Sequence, residues 1–326
     1  MSEKPRARSA KVDGAAKRKK PDVALTMRVA HEAARAHEGR EIVKAGELVD
    51  IKFRSGQSPS LAARRTLSLL IGKAAGDAWK DTVHRITKRE LRGEHKGNER
   101  IGSWLDEVAA IRLTLPTISS RGRTAIERAG LFALLTEETE EGDDSWVEFQ
   151  FSPAARRVFG DSGMYARLNR AALLAFESKY SITLYELGSL LVGRKYDQTW
   201  RGTIPELRAK LGIEGDKYRD WTDLRRFTLE AAKAEIDHLA HFDLTWQEKR
   251  QGRKVTEIEL RFLLKEPDDM NEASRECERV KVGRKARRQK TVETVEARSS
   301  ALRDRLMEDL RPESPGDYLG DEIPEF

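Results

Sequence analysis

The stretch of sequence that decides the fold is residues 203–262, TIPELRAKLGIEGDKYRDWTDLRRFTLEAAKAEIDHLAHFDLTWQEKRQGRKVTEIELRF. It opens with threonine, isoleucine and proline, residue types that suit the cap and the first turn of a helix. Apolar residues recur at helical spacing as far as Leu211, and Gly212 ends this predicted helix. After a turn over 213–220, a second helix is predicted to begin at Trp221. Its predicted buried stripe is Leu224, Phe227, Leu229, Ala231, Ala232, Ile236 and Leu239.

Two segments of alternating polarity follow the second helix. Residues 242–246 and 255–260 alternate as strands do, and the basic turn KRQGRK at 249–254 joins them around Gly252. Helix, turn, helix and hairpin is the order of a winged helix. In such motifs the front of the second helix enters the major groove of DNA and the hairpin follows the phosphate backbone.

Length, composition and charge limit the number of domains, the kind of core and the class of partner that the chain can have. The chain has 326 residues, room for two domains and tails, and with 36% charged and 7% aromatic residues its cores should be small and helical. A net charge of +6 and a pI near 9.3 favour a polyanionic partner. The single cysteine, Cys277, excludes an intramolecular disulfide and fits a reducing cytosol. Because no apolar run suits a membrane span or a signal core, we expect a cytoplasmic, DNA-associated bacterial protein without membrane contact.

The first half of the chain repeats the order of the second half. The predicted elements are a helix over 58–78, a short helix capped by Thr87 and Glu90, a third helix over 98–110, a strand over 111–115, and a hairpin of 129–136 with 145–151. This order matches residues 179–262. The chain is therefore predicted to be a divergent tandem repeat, with units of about 90 residues each.

The predicted fold class is mainly α with small β-hairpins (α+β), built as two tandem winged-helix domains. The predicted divisions are a basic, disordered or partly helical arm over 1–57, a first winged-helix domain over 58–160, a second over 161–265 that is the main DNA reader, and a charged helical or disordered tail over 266–326. The basic arm could contact the DNA backbone or simply keep the chain soluble. The tail ends in an acidic segment over 308–326.

Three motifs in the second half resemble one family. They are SKYSITLYEL at 178–187, LRAKLG at 207–212 followed by Lys217, Tyr218 and the helix from Trp221, and GRKVTEI at 252–258. Together these residues resemble the iteron-binding plasmid replication initiators. The resemblance covers roughly residues 60–263. In the second half it rests on sequence motifs, and in the first half it rests only on the order of the predicted elements.

The resemblance implies a function as well as a fold. It implies that the protein binds double-stranded DNA at direct repeats, the iterons, of a plasmid origin and at the operator of its own promoter. It also implies a homodimer in equilibrium with a monomer, in which monomers initiate replication and dimers repress. The host replication initiator and the replicative helicase would be partners. One departure is the first-unit hairpin loop, EETEEGDD at 137–144, whose acidic side chains would be repelled by phosphate.

The candidate DNA contacts are cations at the front of the second helix and on the hairpin. Adjacent helical residues point about 100° apart, so one of Arg225 and Arg226 is expected at a guanine edge and the other at a phosphate. The alternatives are two solvated arginines and a charged hairpin that keeps a sheet edge soluble. A first-unit cluster, which includes Lys96, could contact another part of the repeat, or that unit could serve dimerisation. The predicted contacts are Lys217, Arg219, Thr222, Arg225, Arg226, Lys249, Arg250, Arg253, Lys254, Lys88, Arg89, Arg92 and Arg100.

Enzymatic functions find little support in the sequence. It has neither a GxxxxGK[ST] loop for nucleotide phosphates nor the His-x-His pair of a nicking initiator. His238 and His241 are spaced as metal ligands could be, but a third ligand is not evident. We therefore expect no catalytic site, no metal and no cofactor. The alternative functions are a winged-helix transcriptional repressor without an initiator role and, from another class, a relaxase-like nuclease.

Overall fold

The computed structural model describes residues 23–36, 39–49, 58–93, 100–140, 142, 144–194, 197–289 and 291. The first 22 residues of the predicted basic arm, Lys96 of the first-unit cluster, and the acidic segment over 308–326 lie outside these residues.

The described residues form helices joined by small antiparallel sheets. The helices are α1 (Val23–Ala36), α2 (Gly46–Val49), α3 (Leu61–Ala74), α4 (Lys88–Arg92), α5 (Ile101–Ala109), α6 (Pro153–Asp161), α7 (Arg170–Ala175), α8 (Lys179–Val192), α9 (Ile204–Leu211), α10 (Trp221–Leu224), α11 (Ala231–Leu239), α12 (Pro267–Glu278) and α13 (Arg284–Arg288). The strands are β1 (Glu41–Ala45), β2 (His84–Thr87), β3 (Arg112–Ile118), β4 (Thr124–Gly130), β5 (Phe132–Glu137), β6 (Trp146–Phe151), β7 (Tyr165–Asn169), β8 (Thr199–Thr203), β9 (Phe242–Gln251) and β10 (Lys254–Leu264).

Two units of the same topology follow one another along the chain. The first contains α3, β2, α4, α5 and the hairpin β5–β6, and the second contains α8, β8, α9, the α10–α11 helix and the hairpin β9–β10. The sheets have the orders β2-β6-β5 and β8-β10-β9, so in each unit the strand before the second helix pairs with the last strand of the hairpin. The predicted pair of tandem winged-helix units is confirmed. In the first unit β2 lies where a short extended piece was predicted over 83–86, whereas β8 of the second unit was not predicted.

The same capping device begins the second helix of both units. Thr87 accepts a hydrogen bond from the backbone of Glu90, whose carboxylate accepts one from the backbone of Thr87, and Thr203 and Glu206 repeat this arrangement. Such a box satisfies backbone donors that the first turn would otherwise leave unpaired. At the far end of α9, Gly212 takes a left-handed conformation with φ of 62°, which ends the helix as the sequence predicted.

The core of the second unit requires a helix and a sheet to approach closely. A side chain at Gly188 of α8 would clash with the rings of Phe242 and Phe262, which lie on the two strands of the hairpin. Both rings are buried, and they meet edge to face with centroids 5.7 Å apart. The lack of a side chain at residue 188 therefore lets α8 pack directly on the two strands of the hairpin.

The first unit contains an additional hairpin that the sequence analysis did not predict. Strands β3 and β4 pair in register from Arg112 with Gly130 to Ile118 with Thr124. The expected strand over 111–115 is therefore the start of a longer ribbon between α5 and β5. Gly122, with φ of 73°, lies in its turn. The pattern was missed because the outer face of the ribbon is exposed and carries Ile118 and Ile126, which obscures the alternation of polarity.

Residues N-terminal to the predicted first unit of 58–160 also pack into the core. Strand β1 pairs with β7, and Ile42 on β1 and Met27 on α1 are buried. Lys44 on β1 forms a buried ion pair with Glu186 on α8, with Nζ 2.6 Å from Oε1. Residues 23–49 therefore differ from the predicted arm in one respect: α1 agrees with the expected partial helix, but apolar side chains of α1 and β1 pack into the core instead of staying free of it.

The segment after residue 264 is more structured than its charge pattern indicated. Helix α12 buries Ala273 and Cys277, and the Cys277 thiol donates a hydrogen bond to the Leu239 carbonyl at 3.3 Å. Glu276 is also buried; Arg287 donates to its carboxylate from 2.8 Å. A mixed-charge sequence can thus pack when its few apolar residues share one face and its buried carboxylate is paired.

Candidate nucleic-acid interface

The turn that precedes the long helix of the second unit, residues 221–239, is organised by one arginine. Arg208, on α9, donates hydrogen bonds to the carbonyls of Gly215 at 2.8 Å, Lys217 at 2.8 Å and Tyr218 at 2.6 Å. Tyr218 has a positive φ of 52°, which is unusual for a residue with a side chain. The guanidinium therefore fixes the turn from which the long helix starts. The sequence analysis included Arg208 in a motif but assigned it no role.

The long helix contains a π-helical segment, Arg225–Glu230, between α10 and α11. Single π turns occur frequently at functional sites. Within it Thr228 is buried, and its hydroxyl donates to the Leu224 carbonyl at 2.5 Å. The predicted buried stripe is corrected at two positions: Phe227 is 47% exposed and Ala231 is exposed. A wider turn changes the angle between successive residues, so the 3.6-residue period that placed Phe227 in the core does not apply here.

The two adjacent arginines of the helix have different surroundings. Arg225 has its Nε 3.0 Å from a Glu230 carboxylate oxygen and its Nη1 3.5 Å from Glu248. Arg226 is exposed, and its guanidinium carbon lies 5.5 Å from the centre of the Phe227 ring. Unlike Arg225, Arg226 forms no ion pair with a carboxylate of the described residues. The two residues thus differ in their surroundings, and the expected difference in role stays a prediction.

A single carboxylate joins the long helix to the hairpin. Glu248 on β9 accepts a hydrogen bond from Arg250 at 2.7 Å and one from Arg225 at 3.5 Å. Partial burial acts to raise the pKa of Glu248, but the hydrogen bonds, above all that from Arg250, lower it below its ordinary value. Glu248 thus stays ionised at neutral pH. Its position places the front of the helix and the cations of the hairpin side by side.

The hairpin presents exposed cations at its tip. Gly252, with φ of 63°, occupies the first position of the two-residue turn, where a positive φ matches the twist of the strands. Lys249 pairs across the strands with Glu257, Nζ to Oε2 3.1 Å. Arg253 and Lys254 are exposed and have no ion pair within the described part of the chain. The tip is therefore the most available cationic surface of the hairpin.

Three further predicted contacts lie at the start of the long helix. Lys217, Arg219 and Thr222 are exposed. The Lys217 ammonium lies 5.1 Å from the centre of the Tyr218 ring, an arrangement that keeps the cation at the surface. These three residues are therefore open to solvent, as is Arg226.

The first-unit cluster is only partly exposed. Lys88 is buried, with its Nζ 2.8 Å from a Glu137 carboxylate oxygen and donating to the Glu138 carbonyl at 2.5 Å. The prediction that Lys88 contacts DNA is therefore corrected, since its charge is neutralised within the protein. Arg89 and Arg100 are exposed, and Arg92 is half-buried. The acidic loop that looked unsuited to DNA thus has a structural task, which is to hold α4 through Lys88.

The two histidines with metal-ligand spacing have other partners. His238 lies 3.4 Å from Glu276, and the His241 ring meets the Phe242 ring edge to face at 4.9 Å. Across the described residues there is no group of three or more His, Cys, Asp and Glu side chains arranged to hold a metal ion. Within the same residues, no helix is both long and apolar enough to cross a membrane.

Comparison with known proteins assigns both units. The family model described as "Initiator Replication protein, WH1" matches residues 41–189, and the model described as "Initiator Rep protein, WH2" matches residues 203–262. These two ranges together make up more than half of the chain. No curated protein matches it.

Two solved structures are similar to this chain, and the first of them supports the fold. The crystal structure of the Pi initiator protein in complex with iteron DNA has a TM-score of 0.52 and 16% identity, and the match covers 70% of this chain and 98% of that one. A crystal structure of domains 2 and 3 of RctB has a TM-score of 0.42 and 13% identity, covering 63% of this chain and 82% of that one. The match to both winged-helix models over two units of one topology shows that the chain belongs to the initiator Rep protein family.

Proposed function

We propose that this initiator binds direct repeats, the iterons, at a plasmid origin in double-stranded DNA. The observation that carries the proposal is the bridge formed by Glu248 between Arg225 of the long helix and Arg250 of the hairpin. A winged helix binds a duplex when its recognition helix and its hairpin face the same DNA. The Pi protein, which shares the fold, was crystallised with iteron DNA.

The proposed contacts divide into base-contacting and phosphate-contacting groups. Arg226 and Thr222 would approach base edges, because they lie exposed at the front of the recognition helix, residues 221–239. The cations around the turn and the hairpin would contact phosphates, and Arg225 would support the helix through its carboxylate partners. The proposed phosphate contacts are Lys217, Arg219, Lys249, Arg250, Arg253 and Lys254, with Arg89, Arg92 and Arg100 in the first unit.

A footprint on the plasmid region beside the gene tests this proposal. We expect protection of several head-to-tail repeats next to an A·T-rich segment. Protection of a single inverted repeat, without direct repeats, would support a transcriptional repressor instead. By the resemblance to the family, we extend the proposal to repression of the protein's own promoter by a dimer and to contacts of the monomer with the host initiator and the replicative helicase.

We propose that the protein acts by binding alone. Supercoiled origin plasmid incubated with the protein and Mg²⁺ or Mn²⁺ should remain supercoiled. A nick at one fixed phosphodiester would contradict this and would favour the relaxase-like alternative. The control is a supercoiled plasmid that differs only in lacking the protected repeats.

A further inference from the structure

The recognition helix carries a solvent-exposed aromatic ring. Phe227 is 47% exposed, and it follows Arg226 on the face that also presents Thr222 and Asp223. Burial of a phenylalanine side chain stabilises a fold, so a half-exposed one gives up much of that contribution. The π-helical turn that contains Phe227 is what brings it out of the helix's buried stripe.

The exposed ring is held in place by a row of aromatic side chains. Phe227 stacks on Tyr218, with centroids 5.4 Å apart and planes at 20°. Tyr218 in turn meets Tyr180 of α8 edge to face at 6.2 Å, and Tyr180 is buried. Arg208 fixes the backbone of Tyr218 by donating to its carbonyl. The position of the Phe227 ring is therefore set from the core outward, and little conformational freedom remains to be lost when it meets a ligand.

We infer that Phe227 determines sequence specificity by packing against the 5-methyl group of a thymine in the major groove. This inference rests on the proposed binding of origin repeats. Thymine is the base that presents an apolar group in the major groove, and phenylalanine is among the residues that contact it. The ring cannot donate or accept a hydrogen bond at the polar edge of another base, so it disfavours the other bases.

The neighbouring arginine makes the inference more specific. The guanidinium of Arg226 lies against the Phe227 ring at 5.5 Å, so the two side chains extend together from the helix. An arginine forms its best base contact with guanine. The pair should therefore recognise adjacent base pairs, and we expect the thymine that Phe227 contacts to lie next to the guanine that Arg226 contacts.

Replacement of thymine by deoxyuridine tests the methyl contact directly, because it removes that group and leaves base pairing intact. The full chain is used to select a duplex from a randomised library, and each thymine of the selected site is then replaced singly. For the wild-type protein we expect one position where replacement weakens binding about four-fold, the effect of one buried methyl group. In Phe227→Ala the same replacement should have no effect.

Two further variants keep the experiment decisive. Phe227→Leu retains an apolar side chain and should keep part of the sensitivity to the methyl group. This variant replaces Phe227→Ala in the test if the alanine variant fails to fold. Leu263→Ala removes a similarly exposed apolar residue, 49% exposed near the end of β10, and should keep the wild-type pattern.

The possible failures are distinguishable. If the wild type binds its selected site but no thymine shows a methyl effect that depends on Phe227, the inference is wrong and the proposed function stands. If selection recovers no preferred sequence, the proposed function itself is wrong. An equal loss of affinity in Phe227→Ala for every duplex would assign the ring to protein packing, which also overturns the inference.

Discussion

Arg225 and Glu230 face each other across the π-helical turn, with Nε 3.0 Å from the carboxylate oxygen. Residues five apart become neighbours when a turn closes with the wider π-type hydrogen bond. The ion pair therefore favours the π geometry, and with Glu248 on the other side it holds Arg225 against the protein. The next residue, Arg226, is left exposed, as its proposed contact with DNA requires.

Substitution of the two arginines should have different effects in kind. Arg226→Ala should weaken binding to the cognate repeat by about 1–3 kcal/mol and relax the preference at one base position, because a bidentate contact with guanine is lost. Arg225→Ala should weaken all sequences by similar factors, because it disturbs the placement of the helix. Binding to a panel of single-base variants of the repeat measures both. Equal, sequence-independent losses in the two variants would remove Arg226 from base recognition.

The tip of the hairpin should account for part of the salt dependence. Arg253→Ala and Lys254→Ala should each reduce the slope of log K against log salt by about 0.9, since each is proposed to neutralise one phosphate. Filter binding over a range of salt concentrations gives the slope. Lys73→Ala is the control, because Lys73 is paired with Glu90 and lies on α3. A slope unchanged by both tip variants would place the hairpin away from the duplex.

Lys88 should behave as a structural residue. Lys88→Ala should lower the free energy of unfolding by about 1–3 kcal/mol, because the charged hydrogen bonds to Glu137 and to the Glu138 carbonyl are lost. It should leave the salt slope unchanged. Arg89→Ala, an exposed neighbour, should change stability by less than about 0.5 kcal/mol. Denaturant unfolding of both variants measures the change in stability. A smaller salt slope in Lys88→Ala would show that Lys88 contacts DNA after all.

Much of the fold follows from local signals in the sequence. The capping residues Thr87 and Thr203, the glycine at 212 and the alternation on either side of Gly252 each specify their geometry within a few residues. The parts that could not be predicted depend on distant partners. Strand β8 forms because it pairs with β10, and α12 is held by its contacts with α7 and α11.

The same division holds for the candidate site. The sequence placed cations at the front of the helix and on the hairpin, and most of these are exposed. It could not separate Arg225 from Arg226, since Glu248 approaches from a strand more than twenty positions away. It also could not place Lys88, because the acidic loop that neutralises it lies about fifty positions further along the chain. Periodicity likewise failed at Phe227, where the helix itself changes its period.

The buried pair of Lys44 and Glu186 should be important for stability. Glu186→Gln leaves the Lys44 ammonium, which is 3% exposed, without its counter-charge and should cost about 3–5 kcal/mol. Burial lowers the pKa of Lys44, an effect that Glu186 opposes, so in the variant the pKa should fall further. The unfolded chain then binds more protons than the folded one, and the loss should diminish as pH rises.

Glu148→Gln is the matched control for this substitution. It breaks the exposed pair of Glu148 with Arg85 and should cost no more than about 1 kcal/mol. Denaturant unfolding of both variants, repeated at several pH values, gives the comparison. Equal losses in the two variants would show that the buried pair contributes no more than a surface pair.

Acid should destabilise the protein through His31. The His31 ring is 1% exposed and lies edge to face against Trp79 at 5.5 Å, and burial lowers its pKa from 6.5 to about 4. Between these values the unfolded chain binds a proton that the folded chain does not. The contribution of neutral His31 is therefore complete above pH 6.5 and decreases as pH falls toward 4, by about 3 kcal/mol in total. His31→Phe keeps an aromatic ring without the titratable group, so its stability should depend less steeply on pH across this window. Unfolding free energies measured from pH 4 to pH 7 decide the point, and identical slopes for the two proteins would contradict it.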